Sequence, residues 1–144
     1  MPEAMNCERD GFLISTEQER LDIDFITHSL NGTYWAKGRP REIIEASIRN
    51  SICFGVYENE TRKQVGFARV VTDQATFSWI CDVFIAEKHR RKGLGKWLME
   101  CVTAHPCVKN SLSFLGTADA QGLYEKYGYK RSELMRRLPD QKHP

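Results

Sequence analysis

A strand-like segment, a cationic turn with two glycines and an amphipathic helix follow one another in this sequence. The segment Ser78–Ala86 leads through five cationic residues, 88–92, into Gly93-Leu94-Gly95. The apolar residues that follow have helical spacing, at Leu94, Trp97, Leu98, Cys101 and Val102. The free N–H groups and the dipole of a helix start favour an anion, and glycines let a phosphate come close to the backbone. The junction therefore predicts a phosphate site between a strand and a helix.

The glycine spacing differs from two common nucleotide-binding motifs. It has neither the third glycine of the dinucleotide turn nor the Gly-Lys-Ser/Thr of the Walker loop. It matches the Arg/Gln-x-x-Gly-x-Gly/Ala turn of another family, at Arg90–Gly95, and a second segment of that family, a tyrosine before a Gly-aromatic pair, is matched at Leu123–Tyr129. On these two segments the chain resembles the GNAT superfamily of acyl-CoA N-acyltransferases.

Composition favours one ordinary globular domain, which we expect to span residues 1–144. The sequence is 41% hydrophobic, and its 21 basic and 19 acidic residues give a net charge of +2. The protein therefore has no strong overall positive potential that would favour the binding of nucleic acid. The five cysteines are scattered, without Cys-x-x-Cys, and the four histidines show no ligand spacing. These features predict a reducing compartment, no disulfide framework and no metal.

The sequence predicts a cytoplasmic protein that does not enter a membrane. Its first ten residues carry charges and lack an apolar signal region, and no apolar stretch approaches transmembrane length. Nothing in the sequence distinguishes a monomer from a homodimer, and both remain open.

The alternation of strand and helix patterns predicts an α+β fold. Thr16 is the expected N-cap of the first helix, with Glu19 as its capping-box partner. We expect strands at 11–15, 52–58, 64–72, 78–86, 111–115 and 129–138, and helices at 16–30, 41–50, 94–105 and 118–127. The resemblance implies a three-layer α/β/α arrangement with about four helices. In that arrangement the sheet is mixed and mostly antiparallel, with a splayed parallel pair of strands in its centre.

The resemblance also implies where acetyl-CoA would bind as acyl donor. Main-chain groups at Phe84, Ile85 and Ala86 would hold the pantetheine arm as a pseudo-strand. Thr117 stands where the family often has an asparagine. The N–H groups of the turn would hold the pyrophosphate, at Arg90, Arg91, Lys92, Gly93, Leu94, Gly95 and Lys96.

Tyr124 occupies the position of the family's usual tyrosine, whose hydroxyl lies near the CoA sulfur. We therefore expect Tyr124 to contact the cofactor and to act as general acid toward the departing thiolate. Alternatively, Tyr124 is only a core residue of an amphipathic helix, in which Leu123 and Tyr127 are its neighbours.

Asp82 is the second catalytic candidate, because it is the one carboxylate in an otherwise apolar strand. Burial would penalise its charge unless a partner is present. A substrate ammonium could be that partner, as in several amine-acetylating relatives. A structural role explains it equally well, either as an ion pair with an arginine such as Arg69 or as an acceptor of N–H groups at a bulge.

The acceptor side is expected near a loop rich in aromatic residues. Tyr34, Trp35 and Arg39 lie where the family has its variable acceptor loop, and Trp79 lies in the central strand. Aromatic faces suit a cationic amine, although such residues also serve simply to pack a loop onto a domain. These four residues and Asp82 are the expected substrate contacts.

The sequence thus predicts an N-acetyltransferase that moves an acetyl group from acetyl-CoA to a primary amine of a small molecule, in a direct ternary complex. Acetylation of a protein amine and a catalytically silent acetyl-CoA-binding module are the alternatives. Nucleic-acid binding through Lys88–Lys92 is disfavoured, because Glu87 and Glu100 bracket the run.

Overall fold

A six-stranded mixed sheet organises the protein. The computed structural model describes residues 3–118 and 120–140. The strands lie side by side in chain order, and every neighbouring pair is antiparallel except the last, β5–β6. They are β1 Asn6–Arg9, β2 Phe12–Ser15, β3 Ile52–Glu58, β4 Gln64–Thr72, β5 Phe77–Ile85 and β6 Leu112–Leu115.

Five α-helices lie in the described part of the chain. They are α1 Ile23–Asn31, α2 Arg41–Arg49, α3 Leu94–Ala104, α4 Pro106–Lys109 and α5 Gln121–Glu125, with 3-10 turns at Gln18–Arg20 and Glu87–His89. None of them combines the length and hydropathy that crossing a bilayer requires. Pro106 separates α4 from α3, because proline has no N–H for the preceding helix and suits the first turn of a new one.

Helices cover both faces of the sheet, which confirms the α+β class and its three layers. On one face Leu98 and Val102 of α3 pack against Phe54 of β3. On the other face the apolar stripes of α1 and α2 meet Phe67 and Phe84. Each large aliphatic or aromatic side chain buried in this way contributes about 1.5–3 kcal/mol.

The parallel pair diverges partway along its length. Phe77–Ile80 pair with Leu112–Leu115. Beyond this point β5 continues to Ile85 without β6 beside it, and it stays paired with β4 on its other side. The gap beyond Ile80 and Leu115 is called the wedge below. The helix α3 connects the two strands, as a parallel crossover requires. The parallel pair is confirmed, but it lies at one edge of the sheet rather than in its centre.

The edge position follows from the predicted strand at 129–138, which is not formed in the structure. Tyr129 is tied to β6 by its hydroxyl, 2.7 Å from Ser113 Oγ, but the backbone beyond it joins no ladder. Leu134, Met135 and Leu138 are exposed. Alternating sequence alone makes no strand, because a strand needs a hydrogen-bonding neighbour.

At the N-terminal end, the predicted start of the first helix and the predicted N-cap, Thr16, are both wrong. The first helix begins at Ile23, because Asp22 accepts a hydrogen bond from Phe25 N at 3.0 Å as its N-cap. Thr16 instead accepts a bond from Met5 N at 2.8 Å, which holds the chain entering β1. This strand was not predicted, since Asn6–Arg9 has little apolar character and is identified only by its pairing with β2.

Candidate active site

The glycine turn opens α3 in the expected manner. Gly93 is the N-cap, with a left-handed φ of 79°, and Trp97 N makes the first helical bond to Gly93 O at 3.1 Å. The N–H groups of Leu94, Gly95 and Lys96 therefore belong to the first turn, where a helix has no acceptor of its own. A Cβ at Gly93 would meet nothing within 4 Å. The helix start thus faces open space that a phosphate can enter.

Two of the cationic side chains fold back onto the protein and brace the turn. Arg90 Nε donates to Ile85 O at 2.9 Å, and Arg90 N donates to Glu87 O at 3.2 Å. Lys92 Nζ lies 3.3 Å from His89 Nδ1 and over the ring of Phe12. Burial, followed by the charge of Lys92, holds the pKa of His89 below its usual range. Arg91 remains exposed beside Gly93.

The end of β5 presents one backbone donor to the wedge. Ala86 N donates to Val65 O at 2.8 Å, toward β4. Successive residues of a strand point their backbone groups to opposite sides, so Ile85 N–H points away from β4. Phe84 packs its side chain among the buried residues beneath α1 and α2. Of the three residues predicted to bind pantetheine, Ile85 therefore has the best-placed amide.

A cavity of about 1020 Å³ surrounds the open edge of β6, and Trp79, Thr117 and Tyr124 all line it. Thr117 Oγ1 accepts a bond from Ala120 N at 3.0 Å, just before α5. Tyr124 is partly buried against the core on the α3 side. Tyr127, one turn later, donates its hydroxyl to Lys96 O at 3.1 Å. This bond joins the turn after α5 to the first turn of α3, so the segment that follows Tyr124 contacts the helix start.

Asp82 lies on a β-bulge. The β4–β5 register shifts between Phe67 and Arg69, and Asp82 has a φ of 54°, in the left-handed region. Ile80 and Val83 pack toward α3, whereas Asp82 turns to the opposite face. The bulge adds one residue to the strand and so breaks the alternation that would have sent this side chain toward α3.

Three side chains converge on the Asp82 carboxylate. Arg39 NH1 and Arg69 Nε each donate to Oδ2 at 2.9 Å, and Trp35 Nε1 donates to Oδ1 at 3.1 Å. The Asp82 side chain is only 2% exposed, compared with 24% for Arg39 and 13% for Arg69. These bonds fasten the loop that carries Trp35 and Arg39 to the sheet.

The other predicted acceptor residues lie nearby but differ in exposure. Tyr34 is 68% exposed and meets Trp35 edge to face, with ring centroids 5.1 Å apart. Trp79 is partly buried and stacks on Phe114 at 6.4 Å.

The sequence offered a bulge at Asp82 only as one alternative, and it did not predict the convergence of two arginines on Asp82 or the link from Tyr127 to Lys96. No local pattern marks a bulge, since it is defined by the partner strand. Arg69 was recognised only as one possible partner of Asp82. The sequence does contain an indication of this pairing. Arg69 and Asp82 are opposite charges that interrupt the apolar runs of two neighbouring strands.

Four of the five cysteines are poorly suited to carry an acyl group. Burial raises the pKa of Cys81 and Cys107 to about 11, and that of Cys53 and Cys101 to about 12. A thiol acts as a nucleophile only as its thiolate. Within residues 3–118 and 120–140, no three His, Cys, Asp or Glu side chains cluster as metal ligands would.

Comparisons with known proteins agree with this geometry. The family model described as "Acetyltransferase (GNAT) domain" matches residues 49–131, more than half of the chain. The chain is 31% identical over 113 residues to "Putative acetyltransferase FG08082" of Gibberella zeae. That match covers 66% of this chain and 64% of the relative's own length.

Solved structures share the fold. A GNAT-family protein of Xanthomonas campestris pv. campestris, described as a putative acetyltransferase, is 37% identical with a TM-score of 0.82, covering 96% of this chain and 95% of that one. A GNAT family acetyltransferase of Elizabethkingia anophelis, solved with acetyl-CoA bound, has a TM-score of 0.66 at 19% identity. In that comparison 87% of this chain and 80% of the other are covered.

Proposed function

Because the chain belongs to the GNAT acetyltransferase family, we propose that it transfers an acetyl group from acetyl-CoA directly to the primary amine of a small molecule. The proposal depends chiefly on one observation. The free first turn of α3 begins at the left-handed Gly93 and lies beside the wedge where β5 and β6 part.

The helix start would bind the pyrophosphate of the donor. Leu94, Gly95 and Lys96 supply backbone donors there, and Arg91 adds an exposed positive charge. The Ile85 amide would bond to the pantetheine arm within the wedge, and Thr117 lies on the other wall. Arg90 contributes indirectly, since its bond to Ile85 O fixes the turn against the strand end.

The reaction forms a C–N bond and breaks the C–S bond of the thioester. A bulge leaves its extra residue out of the ladder, so the N–H groups at Asp82 and Val83 are the donors proposed to stabilise the developing oxyanion. Tyr124 would donate its phenolic proton to the departing thiolate. The attacking nitrogen loses one proton to solvent and the tyrosinate takes one from solvent, so CoA leaves as the thiol and the tyrosine is restored.

We assign Asp82 a positioning role in this scheme. Both of its carboxylate oxygens already accept hydrogen bonds from Trp35, Arg39 and Arg69, and its side chain is almost fully buried. These bonds occupy three of about four lone-pair sites, and the burial keeps substrate away from the remaining one, whereas a general base must reach the proton that it removes. The carboxylate instead holds the acceptor loop against the bulge.

The test is a free-thiol release assay with acetyl-CoA and a panel of amines, together with calorimetry of CoA binding. Turnover with at least one small amine is expected. Gly93→Glu should abolish CoA binding, because a carboxylate would stand where the diphosphate binds. Gly11→Glu is the matched control, since Gly11 also has a left-handed φ, of 84°, and no neighbour within 4 Å of its Cβ position.

The two variants separate a lost site from a lost fold. If Gly93→Glu and Gly11→Glu lost CoA affinity equally, the cause would be the strain of a side chain at a left-handed position and not the loss of a phosphate site. Undiminished affinity in Gly93→Glu would disprove the phosphate site at α3. If CoA binds and no amine in the panel accelerates thiol release, the proposed transfer to small amines is wrong.

A further inference from the structure

The cluster at the bulge of β5 carries more positive than negative charge. Arg39 and Arg69 share the single carboxylate of Asp82. In the described residues no other acidic side chain lies within ion-pair distance of either guanidinium. Arginine remains protonated at every physiological pH, so two positive charges face one negative charge.

The positive groups are the ones that solvent reaches. The Asp82 side chain is almost fully covered, whereas Arg39 keeps about a quarter of its surface. Arg39 makes one side-chain hydrogen bond within the described residues, through NH1 to Asp82. A guanidinium has five N–H donors in a planar fork that matches a carboxylate. Arg39 can therefore hold Asp82 and still bind an anion.

An apolar surface continues from this cluster along the same face of the sheet. Arg69 pairs with Cys81, and the next same-face pair, Val71 and Trp79, lies about 7 Å further along the strands. The face then continues onto β6, because Trp79 pairs with Phe114 and Phe77 with Leu112. The apolar floor is defined here by Val71, Phe77, Trp79, Leu112 and Phe114.

The apolar floor is made of side chains that contact one another and is partly exposed. The ring centroid of Phe114 lies 5.6 Å from that of Phe77 and 6.4 Å from that of Trp79. Val71, Phe77 and Leu112 are exposed, Leu112 to 65%. Trp79, Leu112 and Phe114 also line the cavity that contains Tyr124. The apolar floor thus extends from the charged cluster into the cavity that Tyr124 lines.

We propose that the acceptor is an amine that joins an apolar side chain to a carboxylate, as a free apolar amino acid does. Its carboxylate would bind Arg39, and its side chain would cover the apolar floor. This inference rests on the function proposed above and names the substrate class for the same site.

The same charge arrangement also selects against cationic acceptors. Arg39 and Arg69 exceed Asp82 by one positive charge, and the carboxylate of the substrate would balance it. The two guanidiniums would then face two carboxylates. A second ammonium in place of the carboxylate would be repelled, which excludes diamines and polyamines.

The test compares matched amines by thiol release. Phenylalanine and phenylalaninamide have the same apolar side chain, but the amide lacks the negative charge. We expect kcat/KM to be at least tenfold higher for the acid. Arg39→Gln should reduce this acid-to-amide ratio by at least tenfold and leave the Kd for CoA unchanged, because α3 is untouched. Comparing ratios between variants cancels the different intrinsic reactivity of the two amines.

Two further variants complete the design. Arg39→Lys keeps the charge but lacks the planar fork, so its acid-to-amide ratio should lie between those of the original protein and of Arg39→Gln, and it serves if Arg39→Gln is unstable. Arg41→Gln is the control, since Arg41 is an exposed arginine two residues away that pairs with Asp24 and Glu45. Its ratio should not change.

The failures of the two proposals can be told apart. If amines are acetylated but phenylalanine has no advantage over its amide, or if Arg39→Gln keeps that advantage, the substrate class is wrong and the transferase stands. A preference for spermidine over phenylalanine would also overturn it. If no amine releases thiol although CoA binds, the transfer itself is disproved.

Discussion

Arg69 Nε donates to Asp82 Oδ2 at 2.9 Å, and the Asp82 side chain is all but excluded from solvent. Arg69 also donates through NH1 to Ser51 Oγ at 3.1 Å. The pair therefore links β4, the bulge of β5 and the start of β3. Arg39 and Trp35 bind the same carboxylate from the acceptor loop, so fold stability and site geometry depend on one residue.

Asp82→Asn should lower the free energy of unfolding by about 3 kcal/mol, because it leaves two guanidiniums facing each other without an anion. The free energy of unfolding is measured by urea denaturation, with tryptophan fluorescence as the signal. Asp24→Asn is the control, as it breaks the exposed pair with Arg41 and should cost less than about 1 kcal/mol. Equal losses would mean that the buried pair contributes little.

Tyr124→Phe should lower kcat at least tenfold, which corresponds to about 1.4 kcal/mol of barrier, and leave CoA affinity unchanged. Tyr127→Phe is matched to it in chemistry and lies three residues further on, in the turn that follows α5. It removes the bond to Lys96 O and should cost about 1 kcal/mol of stability while turnover is kept. Steady-state kinetics of both variants, with calorimetry, distinguish the roles. If both lose turnover equally, the general-acid assignment fails.

Gly93→Ala and Gly95→Ala should affect stability in opposite directions. Gly93 has a left-handed φ of 79°, where a Cβ costs about 1–2 kcal/mol. Gly95 is helical, and its added Cβ would meet only Ile85 Cγ1, at an ordinary 3.8 Å. Alanine is preferred to glycine in a helix by about 1 kcal/mol. Chemical denaturation should show Gly93→Ala destabilised and Gly95→Ala unchanged or more stable; the reverse order would contradict the turn geometry.

Stability should fall as the pH is lowered from 7 to 5. Burial lowers the pKa of His105 below its ordinary 6.5, and Nδ1 accepts a bond from Cys107 N at 3.1 Å. The unfolded chain therefore binds protons more readily in this range. The stabilisation is complete above about pH 6.5 and is lost below it, by at most about 1.4 kcal/mol per pH unit for one group.

His105→Asn tests that assignment, because asparagine keeps an acceptor for Cys107 N but does not titrate. Its unfolding free energy should depend less on pH, with the remainder due to His89, whose pKa burial also lowers. His28→Asn, at an exposed position on α1, should behave like the original protein. An unchanged slope in His105→Asn would show that His105 does not sense pH.

The sequence predicted a strand, helix or turn correctly where the residues of that segment themselves favour it. The bounds of β3 and β4 were predicted residue for residue, since both are apolar runs joined by a polar turn. Gly93 and the stripe of α3 were likewise evident, because a left-handed turn needs glycine and a helix repeats every 3.6 residues. The glycine turn, together with the segment Leu123–Tyr129, also carried the resemblance to the family.

What the sequence alone determined, then, is the set of strands and helices with strong periodicity and the turn suited to phosphate. Tertiary structure decided the bulge at Asp82, the approach of Arg39 to it across 43 residues, and the absence of a strand at 129–138. Each of these depends on which backbone or charge lies opposite a residue. Pairing between distant segments is set by the packing of the whole domain, and no window along the chain records it.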